Sequence, residues 1–237
     1  MRLHPTLAKV AKEVSYRSVF VKKPWGYEYL MFDNGAIGIW YLHIQPGGRT
    51  SMHCHPHKKT GLVLLSGEAL VSSLNDSIPL KPLGKVNIRQ RLFHSTVALS
   101  REGISAIEVE SPPDKTNLVR LDDEYGRDEE SYEGPTSIFP MDGTCVQLRP
   151  PEEGQPRAYS LCGCHLRVER FEDALSLKQR QRISEEVAVV LEGGLFSRSG
   201  EPVLSPADVV SSGTLDRLAD AFSVPYGVSL LTLRKEG

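Results

Sequence analysis

At 237 residues, with 40% apolar and 24% charged side chains and a net charge of −2, the chain can bury a substantial core. This balance predicts neither nucleic acid nor an anionic membrane surface as a partner. No apolar run approaches the roughly 20 residues of a membrane-spanning helix. The four cysteines lack framework spacing, which predicts reduced thiols in a cytoplasmic protein.

The first part of the chain predicts an arm followed by a set of short strands. Residues 1–19 are too broken by charge for a signal peptide and predict a short amphipathic helix with Pro5 near its first turn. In residues 20–127, apolar runs alternate with turn signals such as Asp33-Asn34-Gly35. This pattern predicts an all-β sandwich or barrel.

A histidine-rich stretch lies at the centre of this predicted barrel. His53, His55 and His57 alternate, so a β-strand would point all three to one side. An apolar run, 62–65, follows and ends in a tight turn at Gly67. Neutral histidine is the commonest metal ligand, and two on one strand face can share an ion. The alternative is a polar, His-rich strand that binds no metal.

The spacing of Gly47, His53, His55 and Gly67 resembles the first motif of the cupin superfamily, with Thr60 in place of its acidic residue. The second cupin motif brings one more histidine from a later strand, and His94 supplies it here. The resemblance implies a double-stranded β-helix, or jelly roll. It also implies one divalent metal ion held by His53, His55 and His94, with Zn, Fe, Mn and Ni not distinguished.

Three further segments sharpen the resemblance. The run Lys23-Pro-Trp-Gly-Tyr27, the histidine strand and the closing run from Val119 to Arg127 occur in the same order in one cupin family. That family is the C-terminal isomerase domain of type II mannose-6-phosphate isomerase, often fused to mannose-1-phosphate guanylyltransferase. The likeness covers residues 20–130. It implies a sugar phosphate or nucleotide sugar as the substrate and isomerase or epimerase chemistry.

An isomerase must also move a proton, and residue type offers several bases. His57, Glu108 and Tyr41 are the candidates, with Glu110 beside them. A three-His site is also similar to that of iron-dependent cupin dioxygenases, which is the rival enzyme class. A protein that binds a sugar phosphate without turnover is the third hypothesis.

Basic residues are frequent around these motifs, and they predict an anionic sugar substrate. Arginine offers paired donors to a phosphate and lysine a point charge. The alternative is a solvated basic surface. The residues predicted to bind the substrate are Arg49, Lys59, Arg120 and Arg127.

The rest of the chain predicts a linker, residues 128–143, and a degenerate second cupin barrel, residues 144–237. When Gly193 is aligned with Gly67, an offset of 126 (193 − 67), the apolar run 187–191 matches 61–65. The positions of His53, His55 and Thr60 then hold Gln179, Gln181 and Glu186. The chain is thus predicted to be a bicupin, and a homodimer. The alternative for this half is an α+β domain with helices at 175–186 and 214–222.

Overall fold

The computed structural model describes residues 16–127, 133, 135–151, 154–181, 183 and 185–236. The predicted N-terminal helix lies outside these residues, as does part of the predicted linker. The described chain is nearly all β, which confirms the predicted fold class. In the described ranges no helix is long and apolar enough to cross a bilayer.

The first lobe, residues 16–127, is built from short strands joined by tight turns. Their bounds are β1 Val19–Lys23, β2 Gly26–Asp33, β3 Gly38–Ile44, β4 Met52–Cys54, β5 Lys59–Ser66, β6 Ala69–Ser73, β7 Ser77–Leu80, β8 Lys85–Ile88, β9 His94–Ala98, β10 Ile104–Ser111 and β11 Val119–Asp122.

The strands of this lobe form two antiparallel sheets. One contains β3-β10-β5-β8 in that order, extended by β2 and β1, and the other contains β4-β9-β6-β7, extended by β11. This alternation between sheets is the strand order of a jelly roll, or double-stranded β-helix. Apolar residues such as Leu42, Leu64 and Ala106 fill the space between the sheets.

The second lobe, residues 144–236, follows β12 (Ile138–Pro140), which pairs with β1. Its sheet has the order β13-β14-β19-β15-β18, and β16 and β17 form a separate hairpin. The bounds are β13 Arg157–Leu161, β14 Cys164–Phe171, α1 Ala174–Gln179, β15 Val187–Gly193, β16 Leu195–Phe196, β17 Pro202–Leu204, β18 Val209–Ser211, α2 Ser212–Ala221 and β19 Val228–Lys235.

The main sheet of the second lobe repeats the jelly-roll sheet of the first in detail. Gly67 and Gly193 both have positive φ, +81° and +69°, and a Cβ on either would lie 2.5 Å or less from the carbonyl oxygen of Gly103 or Gly227. The same β-bulge also interrupts both strand pairs, β5 with β10 and β15 with β19. These matched irregularities support an internal repeat.

The other sheet of the predicted second barrel is largely replaced. Helix α1 stands in the chain position of β4, and α2 stands in that of β9. Both helices begin at side-chain caps, Asp173 and Ser211, and the predicted helix at 175–186 ends early, at Gln179. Of the three residues predicted to line the barrel, Gln179 and Gln181 are exposed and Glu186 is buried.

The two lobes share one hydrophobic core. The outer face of the first jelly-roll sheet packs against the main sheet of the second lobe, and both contribute fully buried side chains such as Val63, Ile107, Val189 and Leu231. The Asn87 side chain adds two hydrogen bonds to the backbone of Val209, at 2.8 and 2.9 Å. The sheet that contains β3, β10, β5 and β8 therefore has two apolar faces. Its inner face lines the first jelly roll, and the second lobe covers its outer face.

Candidate metal centre

The pairing of β4 with β9 brings the three predicted histidines together inside the first lobe. His53 and His94 are direct partners across the two strands, and His55 follows two residues after His53. Ring centroids are separated by 4.4 Å for His53 and His94, 5.0 Å for His53 and His55, and 5.4 Å for His55 and His94. Nitrogen atoms from the three rings lie within 4.8 Å of one another, so a single ion could bind all three.

Each imidazole is oriented by a backbone carbonyl. The Nδ1 atoms of His53, His55 and His94 lie 2.8, 2.7 and 2.9 Å from the carbonyl oxygens of Ser51, Asn117 and Leu92, respectively. An Nδ1–H donated to a carbonyl leaves Nε2 as the unprotonated nitrogen that ligates a metal.

The Nε2 atoms of His55 and His94 are buried, and among the described residues neither has a hydrogen-bond partner. Buried polar atoms in proteins nearly always have a partner. Burial also depresses the pKa of His53, lowers that of His55 to about 2 and lowers that of His94 to about 4. Three neutral imidazoles, two of which have an unsatisfied Nε2, fit a divalent metal ion.

Thr60, at the place of the acidic cupin ligand, is 1% exposed and lies on the same interior face of β5 as Leu62. Its Oγ1 has no hydrogen-bond partner among the described residues. We expect Thr60→Ala to keep the full metal content, because a neutral hydroxyl is a weak ligand beside three imidazoles. Thr60→Glu should retain metal longer against a chelator, since a carboxylate could add a fourth ligand.

Metal per protein during dialysis against EDTA, measured by inductively coupled plasma mass spectrometry, checks both variants. A large loss of metal from Thr60→Ala would mean that Thr60 is a ligand after all.

A cavity of about 60 Å³ opens beside the histidines. Trp25, which is 5% exposed, and Leu42 provide apolar wall, and Thr50 and Ser51 provide hydroxyls. The remaining lining is strongly charged. The charged residues are Lys23, Glu28, Lys58, Glu108, Lys115, Arg120, Arg127 and Glu133.

These side chains form a buried network in which positive and negative charges alternate. The Lys58 ammonium lies 2.6 Å from the Glu110 carboxylate, and the two side chains are 2% and 1% exposed. The Glu28 carboxylate forms ion pairs with Lys115, at 3.3 Å, and Lys23, at 3.4 Å. Buried ions are tolerated only when paired in this way, because desolvating each one costs several kcal/mol.

Of the predicted bases, Glu108 lies in this cavity. Burial raises the pKa of its carboxyl, while Lys115 acts in the opposite direction. Glu110 is fully buried behind it, where Trp40 Nε1 donates to one oxygen at 2.9 Å and Lys58 donates to the other. Glu108 is thus the predicted base that lines the same cavity as His53 and His55.

The structure corrects the other two predicted bases. Tyr41 lies on the opposite face of the sheet, because strand side chains alternate, and its hydroxyl is 2.8 Å from Ser105 Oγ in the core between the lobes. His57 is exposed and does not line the cavity, because the strand ends at Cys54 and the chain turns before Lys59.

Two of the four predicted substrate-binding residues line the cavity and two do not. Arg120 and Arg127 line the cavity, whereas Arg49 and Lys59 do not. Arg49 forms an ion pair with Glu124 at 2.9 Å, and Lys59 forms one with Asp208 of the second lobe at 3.0 Å. Both side chains therefore have partners outside the cavity.

Arg127 is itself held within the protein. Two of its nitrogens donate to the Asp123 carboxylate, at 2.9 and 2.7 Å, and it also pairs with Glu133. Arg120 also lines the cavity, and its Nη1 donates to the carbonyl oxygen of Arg127 at 3.3 Å.

Sequence reasoning missed the buried charges Lys23, Glu28, Lys58 and Lys115 as parts of the site. Lys58 follows the histidine motif directly, and that position was the available signal. The others lie far apart in sequence, and charged residues on strands are normally solvent-exposed. Their roles emerge only where the closed barrel brings them together.

The strand order and the histidine cluster define the first lobe as a double-stranded β-helix with a candidate metal centre, an architecture shared by cupins. No protein family and no curated protein matches this chain by sequence.

Solved structures similar to part of the chain include a conserved protein with a double-stranded β-helix domain from Klebsiella pneumoniae. It has 18% identity and a TM-score of 0.38, and the match covers 40% of this chain and 84% of that one. KdgF from Halomonas has 15% identity and a TM-score of 0.37, with 39% and 83% covered. The capsular polysaccharide assembling protein CapF from Staphylococcus aureus has 16% identity and a TM-score of 0.41, with 46% and 34% covered. The strand order, rather than these partial matches, defines the fold.

Proposed function

We propose that this chain is a metal-dependent enzyme acting on a sugar phosphate or nucleotide sugar, with chemistry of the isomerase or epimerase type. His53, His55 and His94 would hold the divalent ion. The observation that carries the proposal is that Glu108 lines the same cavity as His53 and His55, two members of the three-histidine cluster. A Lewis acid and a proton carrier in one water-poor space are the parts this chemistry needs.

A bound divalent ion supplies polarisation of a carbonyl and its neighbouring hydroxyl. Glu108 takes a proton from the hydroxyl-bearing carbon beside that carbonyl and returns it to the former carbonyl carbon, while the hydroxyl proton passes to the carbonyl oxygen. Burial raises the pKa of Glu108, and this makes its carboxylate a stronger base toward the carbon-bound proton. The apolar walls, Trp25 and Leu42, exclude water from the proton while it is held.

The cavity also limits how a substrate would enter. A volume of about 60 Å³ holds roughly four waters at about 15 Å³ each. We therefore infer that the reacting end of the sugar enters and that the anionic end stays toward Arg120. The lysines of the cavity are matched by carboxylates, so the ion, with its full charge beside neutral ligands, supplies most of the attraction for an anion.

Glu108→Gln tests the proposal directly. We expect a loss of about 10²- to 10⁴-fold in kcat with unchanged metal content, because the amide keeps the shape but cannot accept the proton. The assay follows interconversion across a panel of hexose phosphates and nucleotide sugars by NMR. Glu102→Gln is the matched control, because Glu102 is an exposed turn residue, and it should keep full activity. Equal rates in the two variants would contradict the role of Glu108.

A second candidate is an iron-dependent dioxygenase, and Thr60 is the observation that favours it. Without a carboxylate ligand the site is a three-His site, as in cupin dioxygenases. Oxygen uptake by the iron-loaded protein with a panel substrate would support this class. A ligand-induced rise in Tm with neither interconversion nor oxygen uptake would support a protein that binds sugar phosphates without turnover.

The homodimer and the cytoplasmic location stay predictions. Size-exclusion chromatography with light scattering tests the first, and fractionation of the source cells tests the second.

A further inference from the structure

A second cavity lies between the two lobes, on the face of the first-lobe sheet that points away from the histidines. Its volume of about 310 Å³ falls at the lower end of the range of small-molecule sites. Phe20, Tyr29 and Tyr41 stand opposite one another on β1, β2 and β3, so their rings form a row across the sheet. We call this space the aromatic cavity.

The rings present flat apolar surface. Tyr29 and Tyr41 are stacked with centroids 4.9 Å apart at 29°, and Tyr27 lies 6.0 Å from Tyr41 at 37°. Phe20 and Tyr27 are only half-buried, so their rings remain accessible from the cavity. Phe20 stands edge-on to Tyr27, at 69°, so the three tyrosine rings provide the faces and Phe20 closes the row with its edge. Ring faces of this kind fit the face of another ring better than they fit a chain.

Polar groups meet this surface at the ring tips. The Tyr41 hydroxyl contacts Ser105 Oγ at 2.8 Å, and the Tyr29 hydroxyl accepts from the backbone N–H of Val146 at 3.3 Å. Burial raises the pKa of Tyr27, which keeps its hydroxyl protonated and able to donate. Apolar walls with a few convergent hydroxyls are the usual composition of a small-molecule site.

The charge of the lining decides against an anion. Among its described residues the charged one is Asp142, whose Oδ1 accepts from Thr144 N at 2.9 Å and from Thr144 Oγ1 at 2.5 Å. A carboxylate at the rim repels phosphates and carboxylates. The ligand of this cavity must therefore differ from the anionic substrate proposed for the metal centre.

We propose that the aromatic cavity binds a neutral ring that carries hydroxyl groups. That chemistry is shared by an unphosphorylated sugar residue and a phenol. The ring would stack on the aromatic row, and its hydroxyls would exchange hydrogen bonds with the tyrosine hydroxyls and Thr144. This site does not depend on the metal centre, because the sheet separates the two.

The experiment uses the full chain with three probes: methyl α-D-glucopyranoside, 4-methylphenol and glucose 6-phosphate. Saturation-transfer NMR reports binding, and the rate of Cys145 alkylation by iodoacetamide, followed by mass spectrometry, reports its location, because Cys145 lines the cavity. We expect one neutral probe to bind and to slow Cys145 alkylation several-fold, in the presence or absence of EDTA. Glucose 6-phosphate should leave the alkylation rate unchanged. The neutral probe that protects identifies the sugar or the phenol as the source.

Two variants keep the test independent of folding. Tyr27→Phe removes one hydroxyl and should weaken binding about three- to tenfold, as expected for one hydrogen bond. The matched control is Tyr226→Phe, at a tyrosine that is 74% exposed in the second lobe, and it should bind normally. Leu161→Trp should fill the cavity and remove the protection of Cys145. The proposal is overturned if neither neutral probe binds, if glucose 6-phosphate protects equally, or if protection persists in Leu161→Trp.

Discussion

Replacing His55 and His94 together by alanine is expected to reduce the metal content from about one ion per chain to none. The two Nε2 atoms are buried without a described partner, so they are available to an ion and their loss leaves a single imidazole. One imidazole cannot hold a divalent ion against water, whereas three oriented by backbone carbonyls can. Metal analysis after gel filtration measures the result, with circular dichroism to verify folding.

The matched control removes two histidines outside the centre. His57 is exposed and His43 packs against Tyr27 on the other face of the sheet, so the variant with both changed to alanine should keep its metal. Full metal content in the folded His55→Ala/His94→Ala protein would contradict the assignment of these histidines as metal ligands.

A chain that ends at Pro135 is expected to be insoluble or unfolded. The second lobe covers the outer face of the first jelly-roll sheet, and the residues that would lose this cover include Met31, Ile39, Val63, Leu65 and Ile107. Burying one such side chain contributes about 1.5–3 kcal/mol. About ten of them, each losing half its cover, represent on the order of 10 kcal/mol, comparable with the roughly 5–15 kcal/mol that stabilises a whole domain.

Soluble expression, circular dichroism and metal content check this prediction in one preparation. A soluble, folded and metal-loaded 1–135 chain would show that the first lobe is self-sufficient, and the second lobe would then need a function of its own. As an internal comparison, Leu215→Ala creates a cavity in the separate core beneath α2. That change should lower the stability of the second lobe by about 2–5 kcal/mol without removing the cover of the first.

Several features could be predicted from the local sequence pattern alone. The spacing of His53 and His55, the frame of Gly47 and Gly67 and the turn at Asn34 each depend on a few neighbouring residues. Such signals survive in a linear chain because strand period and positive φ are properties of the local backbone. The repeat of Gly67 at Gly193 was visible for the same reason.

The sequence by itself determined the all-β character of the chain, the three histidines as candidate ligands and the internal offset of 126 (193 − 67) residues. Only the tertiary structure decided which other residues lie beside the three histidines in the candidate site. Tyr41 and Glu108 are both strand residues, yet one faces the second lobe and the other faces the cavity, because the pleat sends neighbouring positions to opposite sides. In the closed barrel Lys58 pairs with Glu110, and Lys115 pairs with Glu28. A charged side chain that is removed from water is stable only beside an opposite charge, and this pairing depends on the tertiary structure.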